Sequence, residues 1–313
     1  MSKLYDVIIL GSGPAGLAAG IYSGRSRLST LIVEKGQDGG QIAITDLIEN
    51  YPGQLLEGES GPTLIARMTQ QAKKFGVDRV SDTIKEVHLL GNEKEVVGAK
   101  GTYKAKSIIL ATGASHRPIG CKGEQKFQGR GVSYCATCDA SFFEDLDVYV
   151  VGGGDSAVQE ALYLTKFARN VTVIHRRDEL RAAKSLQEKA FANPKIHFFW
   201  DSLVDEVGGD DIVQWMIVRN KKTGETRKVE ASEEDGLFGV FGFIGLVPTT
   251  ELFEGQVEME NGYILTDDDM HTNIEGVFAA GDLRKKSLRQ VITAAADGAI
   301  AAMQAEKYLS EKK

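Results

Sequence analysis

The sequence predicts an α/β fold with two similar domains, because a pattern of strand, glycine turn, helix and strand occurs in it twice. The first copy contains the turn Gly11–Gly16 and ends its second strand at Glu34. In the second copy the turn is Gly152–Ala157, and His175 comes directly after the second strand. Each spacing is 23 residues (34 − 11 and 175 − 152), and the copies are offset by 141 residues (152 − 11). Strands and helices alternate along the rest of the chain, which favours two Rossmann-like, three-layer domains with parallel sheets.

In the first domain, runs of apolar residues and the turn residues that bound them predict each element. Pro14 suits the first position of a helix, because its missing N–H would have no partner there. The predicted elements are a strand at 5–10, a helix at 14–26, strands at 30–34, 107–110 and 276–280, and a closing helix at 290–309.

In the second domain, the strand–helix–strand unit spans residues 148–175. A charged helix is expected from 178 to 192, where Asn193 and Pro194 end it. Further strands are predicted at 196–200, 212–218 and 237–244, with a hairpin turn at 221–224.

Two short linkers, 114–120 and 242–248, predict that the second domain is inserted into the first. Residues 1–115 and 245–313 would then form one discontinuous domain, and residues 118–242 would form the inserted one. A length of 313 residues suits two domains.

Composition excludes several classes of protein. The formal net charge of −7 argues against a nucleic-acid-binding surface, which needs a basic patch. No run approaches the ~18 apolar residues that a membrane span requires, and Asp6 interrupts the first apolar run, unlike in a signal peptide. Three cysteines, two of them in one Cys-x-x-Cys, do not form an extracellular disulfide framework. We therefore expect a cytoplasmic protein with no membrane or nucleic-acid partner.

The first glycine turn has the features of a dinucleotide site. Its glycines allow a tight turn and let a pyrophosphate approach the N-terminus of the following helix. Glu34 lies where a carboxylate accepts hydrogen bonds from a ribose 2′-OH. The alternative is a glycine turn that serves only packing.

Basic residues replace the acidic one after the second turn. Arg176 and Arg177 follow the strand, and Arg181 is expected one helical turn beyond Arg177, on the same face. Three guanidinium groups there suit the 2′-phosphate of NADPH. The alternative is a solvated basic cluster beside Asp178 and Glu179.

Cys135 and Cys138 form the Cys-x-x-Cys pair just before the second turn. Such a pair can open and close a small disulfide ring and exchange with other disulfides. The alternative is half of a zinc site. Zinc needs about four ligands, and only Cys121 and five histidines without paired spacing remain, so we expect no metal. Cys121 is interpreted as a partly buried structural thiol.

Three further features have both a functional and an ordinary interpretation. Asp139 could carry the proton of a sulfur, or cap a helix that begins at Ala140. Asp282 follows a strand at the edge of the sheet where ligands bind, but it could equally be a turn or cap residue. Phe142 and Phe143 could form an apolar docking patch or belong to the core.

The combination of motifs resembles that of low-molecular-weight bacterial thioredoxin reductases, which are NADPH-dependent and contain FAD. The matching segments have the family's order and spacing and cover essentially the whole chain. They are Gly11–Gly16, Gly39–Gln41, Glu49–Gly53, Ala111–Gly113, Cys135–Asp139, Gly152–Ala157, His175–Arg177 with Arg181, Gly281–Asp282 and Arg289–Gln290. Ala140 departs from the family, which usually has glycine at that position.

The resemblance implies a set of catalytic and cofactor-binding residues. Cys138 would face the flavin, Cys135 would attack the thioredoxin disulfide, and Asp139 would be the acid/base. The FAD site would comprise Gly11, Ser12, Gly13, Pro14, Ala15, Gly16, Glu34, Gly40, Gln41, Asn50, Ala111, Thr112, Gly113, Gly281, Asp282, Arg289 and Gln290. The NADPH site would comprise Gly152, Gly153, Gly154, Asp155, Ser156, His175, Arg176, Arg177 and Arg181.

The resemblance also implies the reaction and a homodimeric state. A hydride would pass from NADPH to FAD, electrons would reduce the Cys135–Cys138 disulfide, and the dithiol would exchange with thioredoxin. Because the dithiol and the NADPH site share one domain while the flavin lies on the other, we expect rotation at the linkers between half-reactions. The alternatives are a flavin-dependent ferredoxin/NADP or diaphorase-type oxidoreductase, which needs no dithiol, and a redox sensor without turnover.

Overall fold

The structure is a computed structural model that describes residues 3–44, 48, 50–55 and 59–312. Glu49, which belongs to one of the motifs above, lies outside the described residues. The chain divides into two compact units. The first, called the host unit, contains the chain up to Ser115 and from Val247 onward; the second, called the inserted unit, is His116–Leu246.

The helices and strands are numbered in chain order. The strands are β1 Leu4–Leu10, β2 Thr30–Glu34, β3 Asp78–Ser81, β4 Ile84–His88, β5 Lys94–Gly98, β6 Thr102–Leu110, β7 Ala114–His116, β8 Val132–Ser133, β9 Asp147–Gly152, β10 Asn170–Ile174, β11 Ile196–Phe199, β12 Ser202–Gly208, β13 Trp215–Asn220, β14 Thr226–Glu230, β15 Gly239–Phe243, β16 Leu246–Pro248, β17 Met259–Glu260, β18 Tyr263–Ile264 and β19 Val277–Ala279. The α-helices are α1 Pro14–Arg25, α2 Gly61–Lys74, α3 Glu124–Phe127, α4 Ala136–Asp139, α5 Asp155–Leu164, α6 Lys184–Ala192 and α7 Val291–Glu311.

The host unit is built on a seven-stranded sheet in which β1 pairs in parallel with β2 and β6, and β2 with β3. The long strand β6 has two partners on its other side. Its first half pairs antiparallel with β5, and its last residues pair in parallel with β19. The sheet is therefore mixed, and the carboxyl ends of β1, β2, β6 and β19 lie at one edge, where the glycine turn begins.

Both faces of this sheet are covered, which explains why its strands are continuously apolar. Val7 and Ile9 belong to the cluster that packs with α1, α2 and α7. Ile8 and Leu10 point to the opposite face and a second cluster, as the period of two requires. All four are buried.

The inserted unit repeats this plan with a five-stranded parallel sheet in the order β11-β10-β9-β15-β8. Val148 and Val150 face the cluster that contains α5, whereas Tyr149 and Val151 face the other side. An antiparallel sheet, β12-β13-β14, accompanies the second cluster. The segments that enter and leave the unit, β7 and β16, pair with each other.

The structure corrects three details of the sequence prediction. The helix expected at 178–192 begins only at Lys184, so residues 178–183 are not helical. Strand β12 was not predicted, and its antiparallel partners show that the sheets are not parallel throughout. Within the described ranges, every helix is too short or too polar to span a bilayer.

Candidate functional site

The cysteine pair lies at the start of a short helix in the inserted unit. Cys135 precedes α4, Cys138 lies within it, and a disulfide joins the two. Both residues are half-buried. Cys135 therefore remains near enough to solvent to meet another protein, and the zinc alternative is not needed to explain the pair.

Asp139 is held by a residue that the sequence analysis missed. The Ser133 hydroxyl donates to Asp139 Oδ2 at 2.6 Å and accepts from the Cys135 backbone N–H at 3.1 Å. One hydroxyl thus links the carboxylate to the first cysteine. The helix-cap interpretation of Asp139 is not supported, because its side chain makes no capping bond to the turn that follows.

The residues after the dithiol divide between core and surface. Phe143 is 5% exposed and packs edge-on against Phe241, whereas Phe142 is 49% exposed. Ala140 is buried with φ −58° and ψ −38°, a conformation that any residue adopts. Replacing the family's glycine therefore introduces no backbone strain here.

The second glycine turn packs tightly at its first two glycines and is open at its third. A Cβ on Gly152 would lie 2.6 Å from the Ala157 Cβ, and one on Gly153 would lie 2.3 Å from the His175 ring. A Cβ on Gly154 would meet nothing within 4 Å. The turn therefore leaves open space at the N-terminus of α5, where Asp155 and Ser156 are exposed.

The expectation that Arg177 and Arg181 share a helix face is wrong, because their segment is not helical. Two bonds to the glycine turn fix its path instead. The Arg181 N–H donates to the Gly153 carbonyl at 2.7 Å, and the Ala183 N–H donates to Asp155 Oδ1 at 2.7 Å. These bonds place the backbone of Arg181 against the glycine turn.

Three exposed arginines surround His175. Burial lowers the pKa of His175, and the charges of Arg181, Arg177 and Arg176 lower it further. Within the described part of the chain, these arginines form no ion pair; Asp178 pairs instead with Lys222 at 2.7 Å. The arginine charge is therefore available to an anion, and the buried His175 Nε2 has no hydrogen-bond partner among the residues described.

The first glycine turn is tightly packed at Gly11 and Gly16 and open at Gly13. A Cβ on Gly11 would lie 2.4 Å from the Ala111 carbonyl oxygen, and one on Gly16 would lie 2.0 Å from that of Gly11. These glycines are needed for packing. A Cβ on Gly13 would meet nothing nearer than 3.9 Å, and one on Gly40 nothing nearer than 3.8 Å. The Gly39 N–H donates to the Ser12 carbonyl and so brings residues 39–40 to the turn.

Glu34 is bonded to its own glycine turn. Its Oε2 accepts from the Ser12 N–H at 2.9 Å and from the Ser12 hydroxyl at 3.2 Å, and its Oε1 accepts from the Gly36 N–H. The structure thus brings the acidic residue to the turn, as the spacing predicts. Pro14 and Ala15 begin α1 directly beyond the turn.

Three further parts of the predicted FAD site belong to the host unit. Ala111–Gly113 follow β6 and bond to Leu10 and Thr249. The Asn50 side chain donates to Gln290 Oε1 at 3.1 Å, and Gln290 caps α7. Gln41 lies in a short 3₁₀ helix and is exposed.

Asp282 is a partly exposed carboxylate with one buried oxygen. That oxygen, Oδ1, makes no hydrogen bond to any residue that the structure describes. Burial raises the pKa of Asp282, whereas the nearby cations Lys286 and Arg289 oppose that rise. Arg289 also donates to the Asp282 and Arg284 carbonyls and lies over the Tyr263 ring. A buried acceptor without a donor is costly, so this position suits a ligand hydroxyl.

No group of three or more His, Cys, Asp or Glu side chains that could hold a metal ion occurs among the described residues. Cys121 is buried, and burial together with Glu124 raises the pKa of its thiol to about 12. The sequence interpretation of Cys121 as a structural thiol agrees with this burial.

The chain belongs to the pyridine nucleotide-disulphide oxidoreductase family, which it matches over residues 5–298. Membership implies the use of a flavin and of a pyridine nucleotide.

The relatives are more specific, and they confirm the resemblance drawn from the motifs. The chain is 59% identical over 310 residues to thioredoxin reductase of Peptoclostridium acidaminophilum, covering 99% of this chain and 98% of that protein. Thioredoxin reductase of Streptococcus pyogenes superposes with a TM-score of 0.92 at 46% identity, covering 99% of this chain and 100% of that one. Thioredoxin reductase of Lactococcus lactis in its FR conformation gives 0.67 at 45% identity, with 98% and 99% covered.

Proposed function

We propose that this chain is an NADPH-dependent thioredoxin-disulfide reductase that binds FAD in its host unit and NADPH in its inserted unit. The observation that carries the proposal is the Cys135–Cys138 disulfide in the same unit as an arginine cluster with no acidic partner among the described residues. A diaphorase or ferredoxin–NADP oxidoreductase needs no such disulfide. The cytoplasmic location remains a prediction from the cysteine content.

The residues of the host unit fit FAD. Glu34 at the glycine turn suits a ribose hydroxyl, the open backbone at Gly13 before α1 suits a pyrophosphate, and Asp282 Oδ1 offers a buried acceptor to a hydroxyl. The chemistry that FAD supplies is acceptance of a hydride and two-electron reduction of a disulfide.

The chain's own cysteines complete the reaction. After reduction, the Cys135 thiolate attacks the partner disulfide and forms a mixed disulfide. Cys138 then attacks Cys135, which restores the disulfide of this chain and releases the partner as a dithiol. Asp139, held by Ser133, carries the proton that leaves or rejoins a sulfur. Exposed Phe142 offers an apolar contact to thioredoxin beside the pair.

The arginine cluster selects NADPH. The guanidinium groups of Arg176, Arg177 and Arg181 can each donate two hydrogen bonds to a phosphate dianion. NADH lacks the 2′-phosphate and gains nothing from them. The bonds of Arg181 and Ala183 to the glycine turn hold the segment in place.

Rotation of the inserted unit between half-reactions remains part of the proposal. The disulfide and the arginine cluster belong to the inserted unit, whereas the proposed FAD residues belong to the host unit. Both parts of the inserted unit must reach the same flavin in turn, which requires a movement of the domain. In this chain, Glu124 accepts from the Ile119 and Gly120 N–H groups, which ties residues 119–120 to the inserted unit. Turning is therefore expected at β7 and β16.

A covalent clamp tests the rotation. Two surface cysteines, one in each unit, are introduced in a Cys121→Ser background and joined with a bismaleimide while the Cys135–Cys138 disulfide protects the native pair. We expect thioredoxin turnover to fall about tenfold or more, with flavin absorbance unchanged. The same protein blocked with a monofunctional maleimide is the control. Full turnover of the clamped protein would contradict the rotation.

The proposed homodimer has a candidate surface on α7. The buried face of this helix packs with α1, but Ile292, Ile300 and Met303 are exposed on its other side. Spacings of 8 and 3 residues place them on one stripe of the helix. An exposed apolar stripe suits a second copy of the chain. An Ile300→Asp variant should be monomeric by light scattering; a persistent dimer would assign the contact elsewhere.

The central experiment is an absorbance titration of the purified holoenzyme with NADPH. We expect bleaching of the flavin band and, when oxidised thioredoxin is added, its recovery with consumption of NADPH. A colourless protein that cannot be reconstituted with FAD would overturn the proposal.

A further inference from the structure

A buried cluster of charges adjoins Asp282 in the host unit. It consists of Arg284, Lys286 and Asp297, whose side chains are each 10% exposed, and it is called the Asp297 cluster. Arg284 Nη1 lies 3.0 Å from Asp297 Oδ1, and Lys286 Nζ lies 2.9 Å from Asp297 Oδ2. The Gly281 N–H also donates to Oδ2 at 3.0 Å. Asp297 on α7 thus holds the backbone just before Asp282 as well as two cations.

Lys286 lies between two carboxylates but is hydrogen-bonded to only one. Its Nζ is 2.9 Å from Asp297 Oδ2 and 3.6 Å from Asp282 Oδ1, which has no hydrogen bond. The difference is 0.7 Å (3.6 − 2.9). A small shift of the lysine would therefore pair it with Asp282 and occupy the acceptor that is open now.

The charges explain why the lysine stays where it is. A buried ammonium needs an ionised acceptor, and Asp297 supplies one with a further cation, Arg284, to balance it. Without the charge of Asp297, the nearest carboxylate for Lys286 would be Asp282. Lys286 already favours the ionised form of Asp282 across the 3.6 Å separation, which is an ion pair longer than a hydrogen bond.

We propose that Asp297 is a positioning residue that restrains Lys286 and so keeps Asp282 Oδ1 available to a hydroxyl group of FAD. This inference rests on the proposed function, because it requires that the host unit bind FAD. It assigns to a residue of α7 a role in cofactor affinity that needs no contact with the cofactor.

The test is the affinity for FAD, measured from the rise of flavin fluorescence when the holoenzyme is diluted. We expect Asp297→Asn to raise the FAD dissociation constant about tenfold or more, because Lys286 then pairs with Asp282. Arg284→Gln is the matched control. It removes the other cation of the cluster but leaves Lys286 bonded to Asp297, so its dissociation constant should stay within about threefold of the parent protein.

A double variant separates this role from a general loss of structure. If Asp297 acts through Lys286, then Lys286→Gln with Asp297→Asn should bind FAD within about threefold of Lys286→Gln alone. The comparison still tests whether Asp297 acts through Lys286 if Asp297→Asn alone does not fold. The double variant loses one positive and one negative charge, so it leaves no unbalanced charge in the cluster. A crystal structure of Asp297→Asn should show Lys286 Nζ within hydrogen-bond distance of Asp282 Oδ1.

Three results would overturn the inference. One is an Asp297→Asn protein that binds FAD as tightly as the parent. The second is Arg284→Gln weakening the affinity as much as Asp297→Asn does. The third is a double variant about tenfold weaker than Lys286→Gln. If the parent protein itself bound no FAD, the proposed function would fail instead, so the two failures are distinguishable.

Discussion

The two glycine turns share one backbone plan but use the residue 23 positions later in opposite ways. Glu34 is bonded to its own turn through Ser12, and its carboxylate is fixed before any ligand arrives. His175 packs its ring on Gly153, and the arginines beside it are exposed and unpaired within the described residues. The first arrangement suits a cofactor that stays bound, and the second suits a charged molecule that comes and goes.

In the proposed function, the turn supplies the pyrophosphate site, whereas the segment after the second strand sets the ligand. Both segments return to their own turn. In the host unit the Gly39 N–H donates to the Ser12 carbonyl, and in the inserted unit the Arg181 and Ala183 N–H groups bond to the turn before α6 begins. The two units differ in the charge at this point of the chain, which is acidic at Glu34 and basic at Arg176, Arg177 and Arg181.

The largest effect is expected from the dithiol, which only the inserted unit carries. Cys138→Ser should lower thioredoxin reduction about a thousandfold or more, because no intramolecular disulfide can form. Flavin bleaching by NADPH should persist in a stopped-flow measurement. If bleaching were lost as well, Cys138 would have to receive electrons before the flavin does rather than after it.

The arginine cluster should come next. Replacing Arg176, Arg177 and Arg181 together by alanine should raise KM for NADPH about a hundredfold and that for NADH no more than about threefold. Arg219→Ala, which removes an arginine paired with Asp205 in the same unit, is the control. An equal rise of KM for NADPH and for NADH would mean that the three arginines do not recognise the 2′-phosphate.

A smaller effect is expected at Glu34. Glu34→Gln removes the charge that the Ser12 groups bind, and the FAD dissociation constant should rise about tenfold. Asp6→Asn is a suitable comparison, because Asp6 is also a bonded carboxylate on a host strand, paired with Lys106, but lies near the opposite end of β1. An unchanged FAD affinity for Glu34→Gln would show that the turn alone holds the cofactor.

The smallest effect is expected at Cys121. Burial raises the pKa of this thiol to about 12, so the reactive thiolate is scarce at pH 8 and becomes appreciable only as the pH approaches 12. Cys121→Ser should change thioredoxin turnover less than about twofold. Mass spectrometry after reduction and alkylation at pH 8 should find Cys135 and Cys138 labelled and Cys121 unlabelled. Rapid labelling of Cys121 would instead reveal opening of the inserted unit's core.

The sequence predicted what depends on local pattern. The strand–turn–helix units, the closing helix and the position of Glu34 follow from apolar periodicity and glycine spacing, and the structure contains them. Residues 178–183 were misjudged as helix, because their bonds to the glycine turn override helix propensity.

Contacts made by distant residues could not be predicted in this way. Ser133 and Asp139 are six residues apart and only the folded chain shows their bond. Asp297 lies inside a regular helix pattern, where a charged residue would ordinarily be assigned to the solvent face. A signal was present in retrospect, since Asp297 interrupts the small-residue face of α7 that includes Ala294 and Ala301.

The pairing of β7 with β16 has a consequence for how such a chain can arise and be altered. Because the entering and leaving strands run side by side, the start and finish of residues 116–246 are neighbours. A segment with adjacent termini and its own apolar interior can be spliced into a surface loop of another protein without stretching the recipient.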